Sequence, residues 1–325
     1  PTRSQLLMMS SINGAFGDWL HQQNRVWAIP MELCRDGSPL VLTPDTLRER
    51  VTAPSPHVIV LAHGLCLNDL HWQPLDQPGF GERWEKHHGA TVLSLRYNTG
   101  MHIHENGRQL ALLLQQLVQS YPIPIERLSL IGHSMGGLVS RSACSYAKEL
   151  ELSWLSVLQD VACLGSPHRG AGLERIGQWV TLTLGKLPIT ASLGRAGQQR
   201  SAGIKDLRYA CLRHEDWSDS HPDADKPLHT MPLPLLPEVR YCLLATNWKP
   251  GLAESLGDGL VQVSSAQAFH LGGHELEIPQ VQRPLLQGLH HMELPRHPQV
   301  YNVLTKWLFD IEETTALLQT ETPDQ

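Results

Sequence analysis

The chain is poor in charge, and what charge it has is not basic. Only 18% of its 325 residues are Asp, Glu, Lys or Arg, and 26 Lys and Arg face 32 Asp and Glu, for a formal charge of −6. A nucleic-acid scaffold would carry a basic excess or stripe, so that class is set aside. No run of 18 apolar residues occurs, which leaves no candidate transmembrane helix. Cysteine is sparse too. Cys34, Cys66, Cys144, Cys163, Cys211 and Cys242 come no closer than 19 positions, so there is no C-x-x-C metal or redox motif. Buried free thiols are expected, with one disulfide as the alternative. Neither G-x-G-x-x-G nor G-x-x-x-x-G-K-[ST] follows a strand pattern, so no nucleotide and no other cofactor is expected. With 26 Gly and 23 Pro, the composition also excludes collagen and long disorder. No basic-then-apolar leader pattern is present. The chain reads as cytoplasmic, or as secreted had a leader preceded Pro1.

What is present alternates between strand and helix. Residues 3–24 read as a helix. Residues 26–33 and 39–42 flank Asp36-Gly37, a hairpin turn signal. Short, wholly apolar runs follow, as expected of strands buried on both faces: residues 57–62, 91–97, 128–131, 158–164 and 239–245, with 274–278 weaker. Between them lie amphipathic patterns. Leu110, Leu113, Leu114 and Leu117 share one helix face, Met135, Leu138, Val139 and Ser142 another, and Tyr301, Leu304 and Leu308 a last one. Alternating strands and helices predict an α/β fold, a mainly parallel central sheet flanked by helices, built as one domain over residues 1–325. One interval breaks the rhythm. About 70 residues separate the strands at 158–164 and 239–245, too long for a plain connection. Residues 168–235 are therefore expected to form an inserted helical cap or lid.

Gly132-His133-Ser134-Met135-Gly136 fits G-x-S-x-G between a predicted strand and a predicted helix. A strand-to-helix turn that sharp strains the serine and projects its hydroxyl above the sheet, while the flanking glycines leave room for neighbouring backbone. Ser134 is thus the expected nucleophile. A serine hydroxyl is scarcely ionised at neutral pH, so it needs a base.

In these features the chain resembles the α/β-hydrolase fold, specifically bacterial lipases and carboxylesterases, over roughly residues 55–310. The resemblance rests on Gly132-His133-Ser134-Met135-Gly136-Gly137, on His63-Gly64-Leu65 and on Gly165-Ser166-Pro167-His168-Arg169-Gly170. It rests also on Gly257-Asp258-Gly259-Leu260-Val261 and His291-Met292-Glu293-Leu294. It implies the order serine, acid, histidine, with Asp258 as acid and His291 as base. His290 is the next candidate base, ahead of His270, His274 and His297, and Glu254 is the fallback acid. It also implies an oxyanion hole made by the backbone N–H groups of Leu65 and Met135.

Other readings are weaker. Arg96-Tyr97-Asn98 ends a strand where open α/β sheets bind ligands, which makes Tyr97 a candidate pocket residue. Trp179 and Val180, on a cap helix apolar nearly all round, are candidates to roof an acyl pocket. His102 and His104 with Glu105 lack a third spaced ligand, so no metal site is expected. The expected activity is carboxylester hydrolysis, esterase- or lipase-like, on a small-molecule or lipid ester, aliphatic polyesters included. Acyltransfer or thioester cleavage with the same triad is the rival within the fold. A non-catalytic scaffold is the rival outside it.

Overall fold

The computed structural model describes residues 2–184, 201–218, 220, 224, 226–228, 230, 233–249, 257–268 and 280–310. The predicted strand at 274–278 and the candidates His270, His274 and Glu254 lie outside them.

The chain opens on α1 (Arg3–Gln22), whose cap Thr2 accepts from the Gln5 N–H while the Gln5 side chain accepts from Thr2. β1 (Glu32–Arg35) and β2 (Ser38–Pro39) form the expected hairpin, turning through Asp36 and Gly37 at φ 52° and 74°. Residues 26–31 do not extend the strand. α2 (Pro44–Arg50) follows Thr43, with Pro44 at its first turn. Then come β3 (His57–Ala62), α3 (Phe80–His88), β4 (Thr91–Arg96), α4 (Ile103–Ser120), β5 (Arg127–His133), α5 (Met135–Glu149) and β6 (Leu158–Leu164). Between β6 and β7 (Arg240–Asn247) stand α6 (Leu173–Leu184), α7 (Ala202–Tyr209) and the short α8 (Glu215–Ser218). The chain goes on through α9 (Val263–Ala266), β8 (Val281–Gln282), β9 (Leu285–Gln287) and α10 (Pro298–Leu308).

The strand order is β2-β1-β4-β3-β5-β6-β7-β8, with β9 also on β7. All pairs from β4 onward are parallel, and only the β1–β2 hairpin and its β1–β4 junction are antiparallel. Strands buried on both faces divide their side chains between two cores. Val58, Val60, Leu128, Leu130, Val161 and Leu243 face Leu110, Leu114 and Leu138 of α4 and α5. Ile59, Leu61, Ile131, Leu164 and Leu244 face Phe80, Trp84, Val300 and Leu304 of α3 and α10.

This order places the site. From β3 the chain crosses to β4 on one side, and from β5 it proceeds to β6 and β7 on the other. The carboxyl ends of β3 and β5 therefore flank a topological switch point, the crevice where open α/β sheets hold ligands. His63 follows β3 and Ser134 follows β5. All six cysteines are buried and unpaired, which excludes the disulfide alternative. No helix among the described residues is long and apolar enough to cross a membrane.

Candidate active site

Ser134 sits between β5 and α5 at φ 55°, ψ −120°, a conformation that L residues rarely adopt. The surroundings dictate the flanking glycines. A Cβ on Gly132 would come within 2.2 Å of the Gly137 nitrogen, and one on Gly136 within 2.4 Å of the Ala62 carbonyl oxygen. The turn is held by the Ser134 N–H, which donates to the Leu164 carbonyl at 2.9 Å. Its strain is thus fixed by neighbouring strands.

His291 lies in a one-turn helix before α10 and is tied to Asp258 at two points. Its Nδ1 stands 2.7 Å from Asp258 Oδ2, and its backbone N–H donates to the Asp258 carbonyl at 3.0 Å. The other carboxylate oxygen accepts the Leu260 and Val261 N–H groups at 2.9 and 2.7 Å. Gly257 and Gly259, at φ 55° and 97°, turn the loop to allow this. Asp258 is thus oriented before it orients the imidazole. Gly165 explains the glycine of the segment after β6, since a Cβ there would meet Asp258 Oδ2 at 2.9 Å and His291 Nδ1 at 3.1 Å.

The neighbouring His290 points elsewhere. It caps the turn, accepting from the Met292 N–H, and its ring meets Trp248 edge-on. His297 caps α10 by accepting from the Gln299 N–H. Of the described histidine candidates, His291 alone carries the carboxylate.

Ser134, His291, Gly64 and Leu65 line one pocket, walled by Leu67, Pro167, Ala171, Ile176, Trp179 and Leu207. Among the described residues no acceptor takes the N–H of Leu65 or Met135, which flank this pocket from β3 and from α5. Its free volume is about 30 Å³, room for about two waters. Trp179 lines this pocket. Val180 does not line the pocket: it packs against the core below, because the neighbouring positions 179 and 180 point about 100° apart around the helix.

Tyr97 is also corrected. It is buried, its hydroxyl donates to the His63 carbonyl at 2.7 Å, and its ring stacks on His63 at 4.4 Å. It braces the loop that carries Leu65 and does not touch the pocket. Its neighbours are equally occupied. Arg96 pairs with buried Asp69 at 2.6 Å, and the Asn98 amide donates to the Gly17 carbonyl of α1. His102 lies 3.1 Å from both oxygens of the buried Asp206 carboxylate.

The sequence reading missed a row of histidines beside the site. His133 stacks on His71 at 5.5 Å and lies tilted against His291 at 4.7 Å, and its Nε2 lies 3.1 Å from the His291 carbonyl. His133 ends β5 and His71 lies in a one-turn helix far from it in sequence, so no spacing marks them as neighbours. Burial disfavours the charged form of three rings here: it lowers His63 to about 4 and His71 to about 3, and holds His133 well below the ordinary value. His57, His104 and His168 are lowered in the same way by burial. His102 goes the other way, raised by Asp206 despite burial.

These shifts set an acid limit. Unfolded histidines take up protons near pH 6.5 while the six buried ones refuse them, so stability is fully present above about 6.5 and is lost as pH falls toward 4. Each contributes at most about 1.4 kcal/mol per pH unit. His102, raised in the fold, is protonated in both states over this range and leaves the slope unchanged; its own contribution is lost only as pH rises above about 6.5. Urea midpoints should drop steeply between pH 7 and 5. A flat profile over that interval would show that these rings protonate in place.

Residues 53–209 match the family profile described as "Putative serine esterase (DUF676)", a span that includes β3, Ser134 and α6. The mature form of the Bacillus licheniformis lipase BlEst2 superposes with a TM-score of 0.50 at 18% identity, covering 78% of this chain and 94% of that one. Its propeptide form gives a TM-score of 0.52 at 19% identity, over 80% of this chain and 52% of the longer one. No curated protein sequence matches the chain. The chain shares the fold of these lipases, the α/β-hydrolase fold.

Proposed function

We propose that this α/β-hydrolase-fold chain is a serine carboxylester hydrolase that works through an acyl-enzyme on Ser134. One observation carries the reading: a serine at positive φ, on a strand-to-helix turn, shares a pocket with a histidine clamped to a buried carboxylate. In this mechanism His291 Nδ1 keeps its proton on Asp258, which leaves Nε2 as base. Ser134 Oγ attacks the ester carbonyl as Nε2 takes its proton. The Leu65 and Met135 N–H groups receive the oxyanion, each worth about 3 kcal/mol. The imidazolium then protonates the departing alcohol. Water enters, Nε2 activates it, and the acid leaves. Reaction of Ser134 with an organophosphonate, located by mass spectrometry, tests the reading. A chain that is not labelled, or is labelled elsewhere, sinks it.

The pocket's size bears on specificity. With about 30 Å³ free at the serine and Trp179 in the wall, the pocket favours a short acyl group. In this reading residues 168–235 act as a cap whose helix α6 roofs the acyl site. Each extra methylene the pocket can bury adds about 0.8 kcal/mol, close to fourfold in kcat/KM. Trp179→Ala should therefore move the optimum of a p-nitrophenyl ester series to longer chains. Val180→Ala should lower stability and leave the profile unchanged. If both variants keep the wild-type profile, α6 is only a packing helix.

A further inference from the structure

His133 is the last residue of β5, covalently next to Ser134 and fully buried. Its Nε2 lies 3.1 Å from the carbonyl oxygen of His291. A carbonyl oxygen only accepts, so Nε2 carries a proton and donates it to that oxygen. The N–H of His291 donates to the Asp258 carbonyl at 3.0 Å, and its ring Nδ1 stands 2.7 Å from the carboxylate. His291 is thus held at three points: by Asp258 through ring and N–H, and by His133 through its carbonyl.

The imidazole of His133 has little room to turn. His71 stacks on it with planes 26° apart, and the His291 ring lies tilted against it at 4.7 Å. Gly64 backs its other nitrogen: a Cβ there would come within 3.4 Å of Nδ1 and 3.0 Å of the Ser134 Cβ. That Nδ1 is buried and has no partner among the described residues. An unpaired buried acceptor costs free energy. A phenyl ring would fill the same space without that cost, so packing alone does not account for an imidazole here. What the imidazole adds is the donor on Nε2. Burial, then the adjacent His291 and His71, disfavours its charged form, so it does not oppose a positive charge forming on His291.

We infer that His133 is a positioning residue, which fixes the base relative to the nucleophile by tying the residue next to Ser134 to the backbone of His291. Its effect on rate rests on the acyl-enzyme reading; the hydrogen bond itself does not. Ser134 stands on the turn between β5 and α5, whereas Asp258 and His291 stand on loops after β7 and before α10. Asp258 orients the imidazole within those loops. The His133 bond ties them to the strand that carries the nucleophile. Reacting groups misplaced by about 1 Å can lose about 10²-fold in rate, so the tie acts on kcat and leaves substrate binding alone.

The test compares His133→Gln with His133→Asn in the full chain. A glutamine amide nitrogen reaches about as far from the backbone as Nε2 does, whereas the asparagine amide stops one methylene short. His133→Gln should keep kcat on a short p-nitrophenyl ester within about threefold, and His133→Asn should lose about 10²-fold with KM little changed. NMR on the chain labelled with ¹⁵N-histidine gives a readout independent of turnover. Wild type should show His133 protonated on Nε2. The downfield proton on His291 Nδ1 should persist in His133→Gln and broaden away in His133→Asn. A wild-type His133 protonated only on Nδ1 would overturn the inference, and that measurement needs no variant to fold. So would equal kcat in the two variants, or an unchanged His291 resonance in His133→Asn. A wild-type chain that fails to react with the organophosphonate at Ser134 would end the acyl-enzyme reading instead, and the NMR results would still decide the role of His133.

Discussion

Ser134→Ala is expected to cut turnover of a short p-nitrophenyl ester by about 10⁴- to 10⁶-fold and to leave the unfolding midpoint nearly unchanged. Both halves follow from the turn. The serine side chain makes no capping hydrogen bond to α5, so its oxygen is not spent on the fold. Alanine keeps the Cβ that packs on Gly64, and the backbone stays at φ 55° because β3 and β6 hold it there. The oxyanion donors remain and leave a residual rate of about 10³ to 10⁴ over water. Near-native turnover in a folded Ser134→Ala protein would end the acyl-enzyme mechanism. A collapse of stability would mean that the hydroxyl is structural.

The strands and the turn were legible in the sequence because burial on both faces leaves an unbroken apolar run, and because the elbow's glycines have no substitute. β8 and β9 were not legible: with two and three residues each they have no periodicity to read. The roles of side chains next to the site were legible only in part. Tyr97 follows a strand at the expected edge, but sequence does not tell whether its ring enters the crevice or turns back, and the His63 carbonyl decides that. Trp179 and Val180 could not be separated because they lie on opposite flanks of buried Ile176, and sequence does not tell which flank meets the site. The role of α1 was hidden as well. Cys66, Asn68 and Asn98 bond to it from the loops after β3 and β4, so it underlies the loop that carries Leu65. Such long-range contacts leave no local signature.

The paired histidines give the other large expected effect. His291→Ala should reduce kcat about as severely as Ser134→Ala, since without the imidazole the hydroxyl keeps its proton. His290→Ala should cost about tenfold or less. The two are adjacent in sequence but differ in what they touch: His291 holds Asp258 through both ring and backbone, whereas His290 caps the turn and meets Trp248. Asp258→Asn adds a third reading. An amide donates where the carboxylate accepted, so it favours the tautomer with the proton on Nε2 and removes the base from the serine. About 10⁴-fold is expected, with KM little changed. Loss of activity in His290→Ala with retention in His291→Ala would reverse the assignment. A mild Asp258→Asn effect would mean that the turn alone orients the imidazole, and the carboxylate would lose its place in the mechanism.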